Sequence, residues 1–157
     1  KYNQTPYASI TWSTAYGLAK QIITNSEATS YLCSSYAWDT AVNFIQNNST
    51  AKNYATSIEG FNGNWNPQEV KDPSGNVIKP AGTSQQLNTG LTTQFCNIFD
   101  MGGNEAEFTT ELNPGTSETV VLRGGDYDGS GPAGIRWDGS SGGAYIGSGF
   151  RATLFLK

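Results

Sequence analysis

The sequence predicts one domain of the α+β class. Two segments with helical periodicity fill the first third of the chain, and short apolar runs separated by glycine-rich turns fill the last third. The composition agrees, because 19 of the 157 residues are glycine and only 14% are charged, as expected of a chain with many loops. A chain of this length supports a single core, so we expect residues 1–157 to form one domain.

Both helices are predicted within the first fifty residues. The first begins after a Ser13 N-cap and ends at Asn25. Its apolar face, spaced as in an amphipathic helix, consists of Ala15, Leu18, Ala19, Ile22 and Ile23. The second is capped by Ser34 or Ser35 and ends by Ser49. Its inward-facing residues are Ala37, Trp38, Ala41, Val42 and Ile45.

The stretch from about residue 49 to residue 93 shows no periodicity. Its turn sequences, D-P-S-G-N at 72–76 and N-G-N at 62–64, predict two small hairpins. Phe61, Trp65 and Val77 are its scattered apolar anchors. Irregular stretches of this length are uncommon unless they are functional or tied down. A functional loop and a solvated loop without a role both remain open.

Two strands are predicted in the last third, at Glu118–Leu122 and Phe150–Leu156. The second is apolar enough to be a central strand. We expect the helices to pack against a small antiparallel sheet that contains it. Cys33 and Cys96 each lie beside apolar residues, which favours two buried free thiols over a disulfide.

The charge and the missing residue types exclude several classes of function. The net charge is −4 and no run of Lys or Arg could neutralise successive phosphates, so nucleic acid is not an expected partner. No stretch approaches the ~20 apolar residues that cross a bilayer, so this segment is not expected to insert into a membrane. The chain contains no histidine, which removes Ser-His-Asp and Cys-His catalysis and the commonest ligand of zinc and copper.

Two carboxylates, Asp100 and Glu107, flank a Gly-Gly-Asn turn. Such a turn can bring hard oxygen ligands and backbone carbonyls around Ca²⁺. The alternative is a turn in which Asp100 accepts hydrogen bonds from backbone N–H groups and Glu107 is solvated or salt-bridged. Arg123 and Arg151, next to glycines, are predicted to hold backbone carbonyls through their fork of donors, and Arg136 to do the same between them.

Four segments resemble one known family in order and spacing. They are I-T-W-S-T-A-Y-G-L-A-K from Ile10, N-I-F-D-M-G-G-N-E-A-E-F from Asn97, V-L-R-G-G from Val121 and G-F-R from Gly149. Together they span essentially the whole chain. They resemble the formylglycine-generating enzyme-like (sulfatase-modifying factor) branch of the C-type lectin fold, in which Trp is usual at the position of Phe108 and common at that of Ala106.

The resemblance implies a C-type lectin-like fold with two N-terminal helices, small antiparallel sheets and many loops. It also implies a structural calcium site made by the side chains of Asp100 and Glu107 and the carbonyls of Gly103 and Glu105. The family's catalytic members carry a redox-active cysteine pair between R-G-G and G-F-R, whereas this chain has no cysteine after Cys96. A further branch holds iron through histidines. We therefore expect no enzyme activity and no redox cofactor.

The interval between R-G-G and G-F-R, at about 124–148, carries aromatic residues among Ser, Gly and Asp. That composition resembles antibody paratopes, where rigid rings supply contact area and small polar residues adapt. The predicted ligand-binding residues are Asp126, Tyr127, Asp128, Trp137, Asp138, Ser140, Ser141 and Tyr145. The alternative is that Trp137 and Tyr145 are buried and the rest is turn.

The same interval is similar in position and composition to the hypervariable region of the variable proteins of diversity-generating retroelements. This resemblance implies a non-catalytic receptor-binding or adhesion domain of a phage or bacterium. The expected ligand is a protein or glycan, and the expected location is extracellular, on a cell surface or on a phage virion. Two alternatives remain open: a catalytically degenerate relative of the formylglycine-generating enzyme, and a structural module of a virion or cell surface.

Overall fold

The computed structural model describes residues 2–57, 61, 63–72, 74–92, 94–113, 115, 119–129 and 131–157. Within these residues the chain is a mixture of two helices and small sheets, as predicted, and neither helix could span a membrane. In chain order the elements are α1 (Trp12–Ala19), β1 (Ala28–Leu32), α2 (Ser35–Asn48), β2 (Val70–Lys71), β3 (Val77–Lys79), β4 (Gln94–Phe95), β5 (Ile98–Phe99), β6 (Ala106–Leu112), β7 (Thr119–Arg123), β8 (Arg136–Ser140), β9 (Ser148–Phe150) and β10 (Ala152–Leu156).

Helix α1 is shorter than its apolar pattern predicts. Its N-cap is Thr11 rather than Ser13, and the Thr11 side chain accepts the N–H of Thr14 at 3.3 Å. It ends at Ala19 because the hydroxyl of Ser30, from β1, donates to the Ala19 carbonyl at 2.6 Å. The next residues turn back towards β1, so Ile22 lies outside the helix and is 56% exposed. The predicted extension to Asn25 was therefore wrong.

Helix α2 follows its prediction closely. Ser34 is the N-cap and accepts the N–H of Ala37 at 3.1 Å, and Ser49 is the C-cap. Trp38, Val42 and Ile45 are buried. The two alanines predicted to face inward, Ala37 and Ala41, pack against the same apolar cluster. This helix therefore brings the largest buried ring of the chain, Trp38, into the core.

The main sheet has four strands in the order β8-β7-β6-β9. Strand β7 is antiparallel to both β6 and β8, whereas β9 runs parallel to β6. The prediction of purely antiparallel sheets was thus wrong for this pair. The predicted strand Glu118–Leu122 is β7, which begins at Thr119; Glu118 lies outside the described residues. Phe108 and Leu122 pair across β6 and β7 and pack with α1 in one apolar cluster.

The predicted strand Phe150–Leu156 is divided between two sheets. Phe150 ends β9, and Ala152–Leu156 forms β10, whose partner in a two-stranded sheet is β1. Strand β10 is therefore not central, and Leu156 is 82% exposed. The break falls at Arg151, whose side chain turns to Glu107 while its carbonyl accepts the N–H of Cys33 at 3.0 Å.

One of the two hairpins predicted between residues 49 and 93 is present. Strands β2 and β3 are antiparallel, and Asp72 Oδ1 accepts the N–H groups of Ser74 at 2.8 Å and Asn76 at 2.9 Å. Pro73 of that turn and Asn62 of the second predicted hairpin lie outside the described residues. The remaining residues of the second turn, 63–64, form no strand. Of the predicted anchors, Phe61 and Trp65 are buried but Val77 is exposed.

A buried lysine, which the sequence did not single out, holds this irregular stretch together. The ammonium of Lys79 has no exposed surface. It donates to five backbone carbonyls at 2.7–3.5 Å, those of Trp65, Asn66, Gln68, Pro80 and Thr83. Because these carbonyls surround one buried cation, the loop is held against the protein interior rather than solvated.

Both cysteines are free, but they differ in burial. Cys33 is buried, and burial raises the pKa of its thiol. Cys96 is exposed, because it lies in the tight turn between β4 and β5 with a φ of 53°. The prediction of two buried thiols was thus correct for Cys33 and wrong for Cys96.

Candidate functional site

Arg123 holds the start of the 124–148 interval from the interior of the protein. It is 1% exposed, its Nε donates to the carbonyl of Ile135 at 2.9 Å, and its Nη2 reaches the carbonyl of Gly134 at 3.4 Å. The same guanidinium pairs with the carboxylate of Asp39 on α2. Arg123 therefore holds backbone carbonyls, as predicted, and ties the middle of the interval to α2.

Arg151 anchors the other end. Its guanidinium pairs with both carboxylate oxygens of Glu107, with Nη2 2.7 Å from Oε1, and donates to the carbonyls of Phe99 and Asp100 at 3.2 Å. Arg136 behaves differently from its prediction, because it is exposed and pairs with carboxylates rather than carbonyls. Those carboxylates belong to Glu111 and Asp39.

Three of the four groups expected to bind calcium already have protein partners. The carboxylate of Asp100 accepts the N–H of Gly90 at 2.6 Å and the hydroxyl of Thr92 at 2.5 Å, and Glu107 is occupied by its arginine. The carbonyl of Gly103 accepts the N–H of Glu105 at 3.0 Å. Among the residues that the structure describes, no group of three or more His, Cys, Asp or Glu could hold a metal ion. The arrangement does not fit calcium, which stays a prediction from the resemblance alone.

The carboxyl group of Glu105 is buried near this motif and its pKa is raised. Oε1 accepts the amide of Gln86, but the buried Oε2 has no partner among the described residues. Burial, together with the negative charges of Glu107 and Asp126, raises the pKa of Glu105 to about 7. Glu105 also lines a cavity of about 350 Å³. From the sequence, only the carbonyl of Glu105 is predicted as a ligand. The spacing of Glu105 and Glu107, at alternate positions where β6 begins, could have indicated that both side chains lie on one buried face.

The interval begins with a turn built on Asp126. Its Oδ1 accepts the N–H groups of Asp128 at 3.1 Å and Gly129 at 2.6 Å, which fixes the carboxylate in place. Gly147 passes directly over it with a φ of 79°, and a Cβ there would lie 3.1 Å from the Asp126 Cβ. Glycine is therefore needed at position 147 for the two ends of the interval to meet.

Tyr145 is a fixed ring on the surface. Its hydroxyl accepts the N–H of Ser140 at 2.7 Å. The ring lies against Gly139 and Gly143, where added Cβ atoms would approach it to 3.3 Å and 2.7 Å. With 40% of its surface exposed, the ring is held on one side and open on the other.

Trp137 is the second ring of the interval. It stands on β8 opposite Leu122 and packs, half-buried, against the cluster under α1. The indole N–H groups of Trp12, Trp38 and Trp65 each donate to a backbone carbonyl at 2.7–3.2 Å. The indole N–H of Trp137 has no such acceptor among the described residues, and is free to donate to a ligand.

These side chains border one open cleft of about 190 Å³. Four of the eight predicted ligand-binding residues line it, namely Asp126, Trp137, Asp138 and Tyr145. Its other lining residues are Ala106, Leu122, Gly139, Ile146 and Ser148. Ile146, which is 77% exposed, was not predicted as a contact residue although the interval contains it. The alternative in which both rings are buried is wrong for Tyr145, which is exposed, whereas Trp137 is half-buried against the core.

The other four predicted residues lie outside the cleft. Ser140 ends β8 and donates its N–H to the Tyr145 hydroxyl, and Ser141 begins the turn that follows. Tyr127 donates its backbone N–H to the carbonyl of Asn104, and Asp128 accepts the hydroxyl of Ser84. Ligand binding by any of the eight stays a prediction.

The fold has a counterpart among solved structures. No protein-family model matches this chain, and no curated protein matches its sequence. The structure is similar to that of Treponema denticola variable protein 1, with a TM-score of 0.59 and 18% sequence identity. The match covers 84% of this chain and 49% of that chain, so this chain spans about half the length of that protein. At this identity the likeness shows the fold, and it does not establish the formylglycine-generating enzyme-like branch.

Proposed function

We propose that this protein is a non-catalytic ligand-binding domain whose binding surface is the cleft between β8 and the 141–147 loop. The observation that carries the proposal is a pair of rings, Trp137 and Tyr145, that are partly exposed and held in place on one open cleft. Rings with few rotatable bonds bind with little loss of conformational entropy, which is why they dominate binding surfaces.

The scaffold behind the cleft supports this role. Arg123 and Arg151 fix the two ends of the interval through ion pairs and carbonyl contacts. The exposed side chains between them can therefore differ without loss of the supporting structure. A fold similar to that of a variable protein agrees with such a display, and the resemblance to retroelement variable proteins suggests that the interval is hypervariable.

The proposed setting is receptor binding or adhesion at a phage virion or bacterial surface, with a protein or glycan as the ligand. The negative charge of the chain makes nucleic acid a poor partner. If the domain were instead a structural module, a neighbouring chain would cover the cleft. Light scattering in solution would then give the mass of a stable oligomer.

The test is a binding screen against a glycan array and a panel of displayed bacterial surface proteins. For a ligand found in this way, Trp137→Ala and Tyr145→Ala should each weaken binding by about tenfold or more, as expected for central aromatic contacts. Phe44→Ala is the matched control, because Phe44 is an exposed ring on α2 outside the cleft. Equal binding by all four proteins, with the fold intact, would remove the proposal.

The same screen is run with calcium and with a chelator. We expect no dependence on calcium, because Arg151 occupies the carboxylate of Glu107 that a calcium ion would need. Binding that required calcium would restore the calcium site implied by the family resemblance.

One observation favours a second candidate, a catalytically degenerate relative of an enzyme. Glu105 is a buried carboxyl group with a pKa of about 7 beside a cavity, as a general acid or base would be. Glu105→Gln separates the two functions. It should leave ligand binding at the cleft unchanged if the domain is only a binder.

A further inference from the structure

The cleft has the size and the walls of a site for one long side chain. Its volume of about 190 Å³ falls below the roughly 300–1,000 Å³ of sites for small organic ligands. Its floor is apolar, formed by Ala106 and Leu122, and its walls carry the rings of Trp137 and Tyr145 and the exposed Ile146. An occupant therefore needs an apolar stem that can lie against aromatic rings.

The charge at the rim specifies the end of that side chain. Asp126 borders the cleft, and no Lys or Arg is among its described lining residues. Oδ1 of Asp126 is used by the N–H groups of its turn, which leaves Oδ2 without a donor among the described residues. Asp138 also lines the cleft, but side chains alternate along a strand, so its carboxylate lies on the face of β8 that carries Arg136 rather than on the face of Trp137.

We infer that the ligand is a protein that places an arginine side chain in this cleft. The inference rests on the proposed function and names the chemistry of its partner. An arginine stem can pack on Leu122 and Ala106, and its planar guanidinium can stack on an aromatic ring while donating to the carboxylate of Asp126 at the rim. A lysine ammonium, as a compact and strongly hydrated charge, fits the rings less well.

The first test uses a titration of the ¹⁵N-labelled protein followed by NMR. The probes are Nα-acetyl-arginine N-methylamide, the corresponding lysine derivative and the corresponding citrulline derivative, which is nearly isosteric with arginine but uncharged. We expect the arginine probe to shift amide resonances at 126, 137–139 and 145–147. The lysine probe should bind more weakly, and the citrulline probe should give no saturable shifts. Added salt should weaken the arginine interaction, because the Asp126 carboxylate is near solvent.

The second test removes the rim charge. Asp126→Asn keeps an oxygen that can accept the N–H groups of the turn. It should weaken arginine binding by about tenfold, the factor that a lost charge-assisted hydrogen bond produces. Glu27→Gln is the control, because Glu27 is an exposed carboxylate outside the cleft.

Three results would overturn the inference: citrulline binding as well as arginine, shifts confined to another part of the protein, or unchanged affinity in Asp126→Asn. If the arginine probe fails while Trp137→Ala still abolishes binding of a screened ligand, the inference is wrong and the proposed function stands. If neither ring substitution affects any ligand, the proposed function itself is wrong.

Discussion

The carboxyl group of Glu105 makes the stability of the protein depend on pH. Its pKa is raised to about 7, first by burial and then by the charges of Glu107 and Asp126. The folded protein therefore holds this proton more tightly than the unfolded chain does. The resulting stabilisation is complete below the ordinary glutamate pKa and is lost as the pH rises through about 7. The loss is of order 3 kcal/mol at most.

Glu105→Gln removes this titration while keeping the shape of the side chain. We expect the free energy of unfolding of the variant, measured in urea, to vary less than that of the wild type between about pH 5 and pH 8. Above pH 7 the variant should be the more stable protein. Glu69→Gln, at an exposed carboxylate, should leave the wild-type pH dependence unchanged. Parallel curves for wild type and Glu105→Gln would show that Glu105 titrates normally.

At the scale of elements, Lys79 acts as an internal cation for the loop around residues 65–83. Lys79→Met keeps the apolar stem but leaves the surrounding carbonyls without their shared donor. We expect a loss of about 2–4 kcal/mol in the free energy of unfolding, since buried acceptors of a charged donor become unsatisfied. Lys52→Met is the control, because the Lys52 ammonium is exposed and makes a single long hydrogen bond to a carbonyl. Equal stabilities of the two variants would contradict the structural role of Lys79.

The elements also show what sequence patterns can and cannot predict. Helix α2 was predicted well because its own residues supply both the cap, Ser34, and the buried face. Helix α1 ended early because a hydroxyl from another element, Ser30, takes the carbonyl of Ala19. The acceptors of Lys79 are backbone carbonyls, which no side-chain pattern encodes.

For the candidate site as well, some features could be predicted from the sequence and others depend on contacts between elements. Its location was predictable because Arg123 and Arg151 bound it and because glycine, serine and aromatic residues fill it. Its composition was predictable only in part. Whether Trp137 faces the cleft or Glu105 is buried depends on which strands lie side by side, and β9 pairs with β6 in parallel rather than in the predicted antiparallel way.

For the molecule as a whole, Trp38 connects the core to the binding interval. Its indole N–H donates to the carbonyl of Ala133 at 2.7 Å. Its ring lies 5.0 Å from the guanidinium of Arg151 and 5.9 Å from that of Arg123. A single residue of α2 therefore contacts both anchors and the middle of the interval, which makes the packing of the core and the shape of the cleft interdependent.

Trp38→Phe should weaken this connection. We expect a loss of about 2–4 kcal/mol in stability, from the smaller ring and the unpaired carbonyl. Hydrogen exchange should accelerate at the amides of Gly134 and Ile135, which donate to the carbonyls of Ala55 and Pro132. Trp12→Phe is the control, since it also loses an indole hydrogen bond but lies on α1. Accelerated exchange of the interval in both variants, or in neither, would argue against a specific role for Trp38.

The position of the Tyr145 ring between Gly139 and Gly143 has a consequence for protein engineering. If those two codons were randomised in a saturation library of the interval, many clones would be unfolded or would have a displaced Tyr145 ring. A Cβ at either position would clash with that ring or with Leu122. A library that keeps both glycines and varies Asp138, Ser140 and Ile146 would instead confine its diversity to exposed side chains. Such a library would offer a small, histidine-free alternative to antibody frameworks.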